Sequence, residues 1–335
     1  MKKDMAKNKP IILTFDYELF LGANSGTAER CVLQPTNRIL DLFERYSACG
    51  VFFIDATYLL TLAKCDHRDL TLIASQLQRM IRLGCNVELH LHPQWLDAYP
   101  LDSERWTFHK FDRYRLHSLQ EGEISHLFTA GLNILHGIVR DVNPAYTVSG
   151  FRAGGWSISP FEKLRALFIE NRIIYDSSVS PGWYRNALPC HYYDFRDAPR
   201  NLPIWRFQDE PCNVDERGRF VELPVTTYEA NLADLVINRW ALRNIDYCGD
   251  GAGLATRGML ESIRKAKLFT TKQLTVDMCS KYLFMKSLEA TKDKLRVFAS
   301  HPKTLCEVSF LNLEYLLANY RTASPGEAIE ECCAS

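Results

Sequence analysis

The sequence predicts an α/β protein, a distorted barrel of the (β/α)7 type with long inserted loops, and three observations predict it. Strand-like and helix-like patterns take turns along the 335 residues, as parallel βαβ units require. Acids and histidines fall just past the ends of apolar runs, where barrel and open-sheet proteins expose chemistry on loops while strands fix its geometry. Two aromatic-rich stretches without a period of their own interrupt the rhythm, as binding loops or lids do.

Taken in order, residues 11–13 form a strand, and Pro35-Thr36 open a helical pattern (Ile39, Leu40, Leu42, Phe43, Tyr46) that stops at Gly50. Residues 51–54 give a second strand. A helix over about 69–83 ends at Gly84, and a third strand follows at 85–89. The helix over 121–142 is closed by Asn143-Pro144, with 146–151 extended after it. Residues 160–171 read as helix and 172–175 and 220–225 as extended. A mainly helical insertion covers about 229–292, then come a strand at 295–299 and a helix at about 305–320. Glu330 to Cys333 read as a frayed tail. The interrupting stretches are 93–117, with Trp95, Trp106, Phe108 and Phe111, and 179–219, with Trp183, Tyr192, Trp205 and Phe207. Their rings either stack on a ligand or make satellite cores. Gly249, Gly251 and Gly253 follow no strand, so they are read as a turn and not a phosphate loop.

Composition narrows the function. A 47% hydrophobic chain of this length holds a large core, and the pattern is that of one catalytic domain over 1–335. Forty basic against forty acidic residues leave zero formal charge, so no global field favours nucleic acid or an anionic membrane, and any polyanion must be met locally. Eleven cysteines without a Cys-x-x-Cys pair point to reduced thiols in a cytosolic protein. The lysine-rich residues 1–10 lack the ~7–15-residue apolar stretch of a signal peptide, and no apolar run approaches the roughly 18 residues of a membrane span. A cytoplasmic location is expected. Cys332-Cys333 match no lipidation motif.

The chemistry lies in three segments. Residues i and i+2 of a strand share a face, so Asp16 with Glu18, and His90 with His92, each point to one side. Two oxygen and two nitrogen donors facing each other suit a divalent transition metal, zinc first among them. His301, past the last strand, is placed to protonate a leaving group. Singly, a strand-end acid is as readily a helix cap or ion-pair partner and a lone histidine a structural residue, which is how His67, His109, His117, His126, His136 and His191 are read.

Together, Thr14-Phe15-Asp16, the run Glu88 to Pro93, Gly150-Phe151-Arg152-Ala153-Gly154-Gly155, Tyr175-Asp176-Ser177-Ser178, Val221-Glu222-Leu223-Pro224 and Ser300-His301-Pro302 occur in an order that resembles the polysaccharide deacetylases of the NodB-homology group, carbohydrate esterase family 4. The likeness is nearest to the WbmS-like branch associated with surface-polysaccharide gene clusters. It implies Asp16 as general base, Arg152 as the residue that orients it, His301 as general acid, and Glu18, His90 and His92 as metal ligands. Departures are that the metal-binding aspartate becomes Glu18 one position on, that Leu96 holds the family's second histidine place so that His90 substitutes from upstream, and that Gly154 replaces a proline. Trp95, Trp156, Asp176 and Glu222 are the substrate-binding candidates. The implied activity is removal of an N-acyl group from an amino sugar, free or nucleotide- or lipid-linked, in surface polysaccharide such as lipopolysaccharide O-antigen. Hydrolysis of a non-sugar amide or cyclic ureide, and a silent sugar-binding protein, are the alternatives.

Overall fold

Eight strands form the central sheet of the computed structural model, which describes residues 9–108, 113–187, 191–253 and 269–333. In chain order they are β1 (Ile11–Tyr17), β2 (Val51–Asp55), β3 (Asn86–Leu91), β4 (Gly150–Ala153), β5 (Tyr175–Asp176), β6 (Trp205–Phe207), β7 (Phe220–Glu222) and β8 (Arg296–Ser300). They lie side by side as β6-β7-β5-β4-β3-β2-β1-β8. Only β6 pairs antiparallel, and the α/β sheet curls into a half-barrel. The strand beyond the expected seven is β6, which emerges from a stretch read as loop because three residues carry too little alternation to signal a strand.

Period-two alternation divides the side chains between two environments. Ile11, Leu13, Phe15 and Tyr17 of β1 and Phe52 and Ile54 of β2 join the large core beneath the helices. Ile12, Val51, Phe53, Tyr175, Val221 and Val297 form a second, smaller apolar cluster on the other face. Asp16 has the parity of Ile12, and Asp55 that of Phe53. The curve is not joined by a ladder between β7 and β8. Single hydrogen bonds bridge that seam instead, from Thr226 N to the Val297 carbonyl (3.0 Å) and from Ala299 N to the Leu274 carbonyl (3.0 Å).

The helices are α1 (Gln34–Tyr46), α2 (Ala56–Lys64), α3 (Asp69–Arg82), α4 (Glu121–Val139), α5 (Glu162–Asn171), α6 (Leu232–Ala241), α7 (Lys281–Ala290), α8 (Glu307–Asn319) and α9 (Pro325–Cys333). In α1 the buried stripe is Ile39, Leu40 and Phe43, the periodic residues that signal the helix in the sequence. The sequence does not reveal α2, which follows β2 with no turn between them: Asp55 ends the strand and caps the helix, accepting from Thr57 N at 3.2 Å. The tail expected to fray is α9.

The insertion at 229–292 is less helical than its sequence suggests, because Thr227–Asn231 pairs antiparallel with Phe269–Gln273 and only α6 and α7 are helical among its described residues. Both aromatic stretches contain hairpins, Ala98–Pro100 with Trp106–Phe108 and Tyr184–Ala187 with His191–Asp194. His109 and Phe111 lie outside the described residues. No helix among those described is long and apolar enough to cross a membrane.

Candidate active site

The sequence-predicted donors sit at the carboxyl ends of β1, β3, β4 and β8. Two imidazoles converge on one carboxylate oxygen, with His90 Nε2 at 3.2 Å and His92 Nε2 at 2.6 Å from Glu18 Oε2. His90 Nδ1 lies 2.7 Å from the Arg152 carbonyl, which only accepts, so that nitrogen carries hydrogen. Its Nε2 can then approach a carboxylate only with positive charge between them, as a proton or a metal ion. One ligand atom from each of Glu18, His90 and His92 lies within 4.8 Å of the others, and all three residues are buried. His92 Nδ1 has no hydrogen-bond partner among the described residues. One oxygen and two nitrogen donors fit a divalent metal.

Asp16 is held differently. Buried Arg152 pairs with Asp16 Oδ1, and its remaining donors go to Ser177 O (2.7 Å), Thr14 Oγ1 and Ser177 Oγ (both 2.9 Å). Its guanidinium stacks 4.1 Å above the Phe53 ring. A fork with all three nitrogens bonded is held in one place, which fixes Asp16. The second oxygen, Oδ2, faces His301 Nε2 at 3.6 Å.

Three residues that the sequence reading missed complete the arrangement. Asp277 Oδ2 accepts from His301 N at 3.0 Å and lies 3.3 Å from His301 Nδ1, so the ring turns Nε2 toward the acids. Ser300 Oγ carries the loop that brings Asp277 there, accepting from Val276 N at 3.1 Å. Lys303 Nζ binds Glu18 Oε1 (2.7 Å) and the Leu19 carbonyl (2.8 Å). Buried Asp55 accepts from His92 N at 3.3 Å and so steadies the end of β3. Lys303 is two residues beyond His301 and could have been found by that adjacency, whereas Asp277 was hidden inside a segment read as helix. Gly249 and Gly251 admit no side chain, because their backbone presses on the Lys303 carbonyl, Phe20 and Gly26.

The electrostatics follow from these contacts. Burial would raise the Glu18 carboxyl, but Lys303, His92 and His90 outweigh it and hold it well below the usual range. Burial would lower His301, yet the hydrogen bond to Asp277 and the Asp16 charge lift it above the ordinary imidazole value. Glu88 shares its strand face with His90 but binds no ligand group. It accepts from Ser149 N (2.9 Å) and Gly150 N (2.7 Å), and burial pushes it up to about 7.

Three of the four expected substrate contacts are buried. Trp95 is buried against Tyr58, Trp106 and Phe108 and offers no ring face to a sugar. Asp176 and Glu222 are fully buried register partners on β5 and β7, spent on Ser178 and Val179. Trp156 remains, half-buried, with the Arg152 guanidinium 5.1 Å from its ring. His67, His117 and His136 each bond a backbone group.

No family model matches the chain, and no curated protein does. Among solved structures it is similar to a 4-α-glucanotransferase from Thermococcus litoralis, with TM-score 0.50 and 10% identity over 97% of this chain and 40% of that one. It is also similar to a candidate polysaccharide deacetylase from Mycobacterium smegmatis, with TM-score 0.47 and 15% identity over 98% and 96% of the two chains. A family 4 carbohydrate esterase from Streptomyces lividans in complex with acetate gives 0.42 and 9% over 95% and 93%. At such identities likeness speaks to fold alone, and activity has to be argued from the site.

Proposed function

We propose that the chain is a metal-dependent hydrolase that removes an N-acyl group, acetyl first among candidates, from an amino sugar or its nucleotide- or lipid-linked precursor in surface polysaccharide biosynthesis. The observation that carries this reading is the meeting of two separate devices at one point: the Glu18, His90 and His92 donors, and beside them Asp16 clamped by Arg152 and facing His301.

Glu18, His90 and His92 would hold the ion. A bound divalent metal supplies Lewis acidity, lowering the pKa of a water and polarising the acyl carbonyl. Arg152 occupies Asp16 Oδ1, which leaves Oδ2 to accept the proton of the water that attacks the carbonyl carbon. His301, with Nδ1 turned to Asp277 and its pKa raised, holds a proton on Nε2. It delivers that proton to the amine as the C–N bond breaks, leaving acetate and the free amino sugar. The half-buried face of Trp156 is the surface on which a sugar ring would rest.

The purified protein should release acetate from an N-acetylated amino sugar or from one of its nucleotide- or lipid-linked forms. Asp16→Asn should slow release by about 10²–10⁴ while binding metal as before. Absence of acetate from all three forms by a metal-loaded protein would refute the proposal.

A further inference from the structure

The polarity of α6 is inverted with respect to solvent. Its one buried residue is Asp234, which takes Lys286 Nζ (2.6 and 2.7 Å) and the Tyr282 hydroxyl (2.9 Å) from α7. Asn238, one turn on, donates to the Met278 carbonyl (3.2 Å) and accepts from Ser280 N (2.7 Å). Asp234 and Asn238, together with half-buried Leu235 packed on the core, fasten the helix to the protein. Leu232, Val236, Ile237 and Trp240 are 45, 59, 41 and 65% exposed, at positions i, i+4, i+5 and i+8 on the outward face. A helix whose outer side meets only water carries the opposite pattern.

Two further features say what the face meets. Arg239 and Arg243 are exposed along its edge with no ion pair among the described residues, and the Arg243 guanidinium lies 4.8 Å from the Trp240 ring. An apolar stripe holding tryptophan and flanked by two exposed arginines without ion pairs among the described residues matches the interface of a bilayer, whose acyl boundary takes the apolar side chains and whose anionic headgroups take the arginines. Since the chain has zero formal charge, that attraction is local to this face. Tyr282, whose hydroxyl binds Asp234, and Met278, whose carbonyl accepts from Asn238, are exposed as well. Met278 follows Asp277 directly, so the helix is tied to the segment that carries Asp277.

We propose that the outward face of α6 docks on an anionic lipid surface and presents the site to an amino sugar carried on a membrane-embedded lipid; the substrate half of this rests on the deacylation reading above. The test is co-sedimentation of the full chain with vesicles of phosphatidylcholine, alone or mixed with phosphatidylglycerol. The protein should bind the mixed vesicles, less so as salt rises, and Val236→Glu with Trp240→Glu should weaken binding at least about tenfold. Arg239→Gln with Arg243→Gln, which keeps the apolar stripe, should lower affinity for mixed vesicles only. Acetate release from a water-soluble N-acetyl amino sugar should be unchanged in both variants, showing that they fold. Failure of the wild-type chain to bind mixed vesicles, or binding indifferent to the glutamate pair, would overturn the proposal. So would a dimer in solution that the glutamate pair dissociates, since the face would then be a self-interface. Vesicle binding without acyl release from any amino sugar would leave the docking intact and remove the deacylation reading.

Discussion

Two pairs of buried acids stand at the ends of strands in this sheet, and they have opposite fates. Asp16 and Glu18 are each given cationic partners, Arg152 for the first and Lys303 with two imidazoles for the second, and Glu18 is held well below the usual range. Asp176 and Glu222 face each other with hydrogen bonds from Ser178 and Val179 and no ion pair among the described residues. Burial and then the adjacent Asp176 push Glu222 well above the carboxylate range, and burial raises Asp176. The first pair is equipped for proton and metal chemistry. The second is raised toward its neutral form and ties β5 to β7. Position at a strand end does not separate a reactive acid from a structural one; the partner charge does.

The largest effect should come from exchanging acid for amide in each pair. Asp16→Asn should lower kcat by about 10²–10⁴, whereas Asp176→Asn should lower the melting temperature and leave kcat within a few-fold. Equal losses of kcat would erase the distinction. Next is Asp277→Asn, which removes the carboxylate that lifts the His301 pKa and turns its ring. It should cost about tenfold or more in kcat, less than deleting the imidazole, and should move the alkaline limb of the rate profile to lower pH. A profile that does not move would deny Asp277 that role.

The smallest effect at neutral pH, and one that reads stability against pH, belongs to Glu222→Gln. The raised carboxyl binds its proton more tightly in the folded chain than in the unfolded one. That stabilisation is complete below the ordinary carboxyl range and is lost as pH climbs through the raised value, at up to roughly 1.4 kcal/mol per pH unit over which only the folded state is protonated. Thermal melts from about pH 5 upward should therefore fall more steeply for the native chain than for Glu222→Gln, which has no proton to lose there. Parallel curves would show that Glu222 is not protonated in the fold.

The meeting of Asp16 with Glu18, and of His90 with His92, was readable in the sequence because alternation alone puts each pair on a common face. Arg152 was readable because the segment around it occurs in order with the others. Lys303 and Asp277 act across the fold, and no local period reports which distant acid a lysine will meet. Trp95 and Trp156 show the limit of composition: both were read as substrate contacts, and only tertiary packing decides which ring is buried. β6 and α2 were lost for local reasons, the one too short to alternate and the other joined to its strand without a turn. The inverted polarity of α6 preserves a helical period while reversing its meaning, so the sequence reports the helix and not the side that faces out.

The central claim is that Glu18, His90 and His92 form one metal site. Metal analysis of the purified chain alongside His90→Ala and His92→Ala tests it most directly. The account predicts about one equivalent of zinc or a similar divalent ion in the native chain and its loss in both variants. Full metal content in either variant would contradict the ligand set on which the proposed hydrolysis depends.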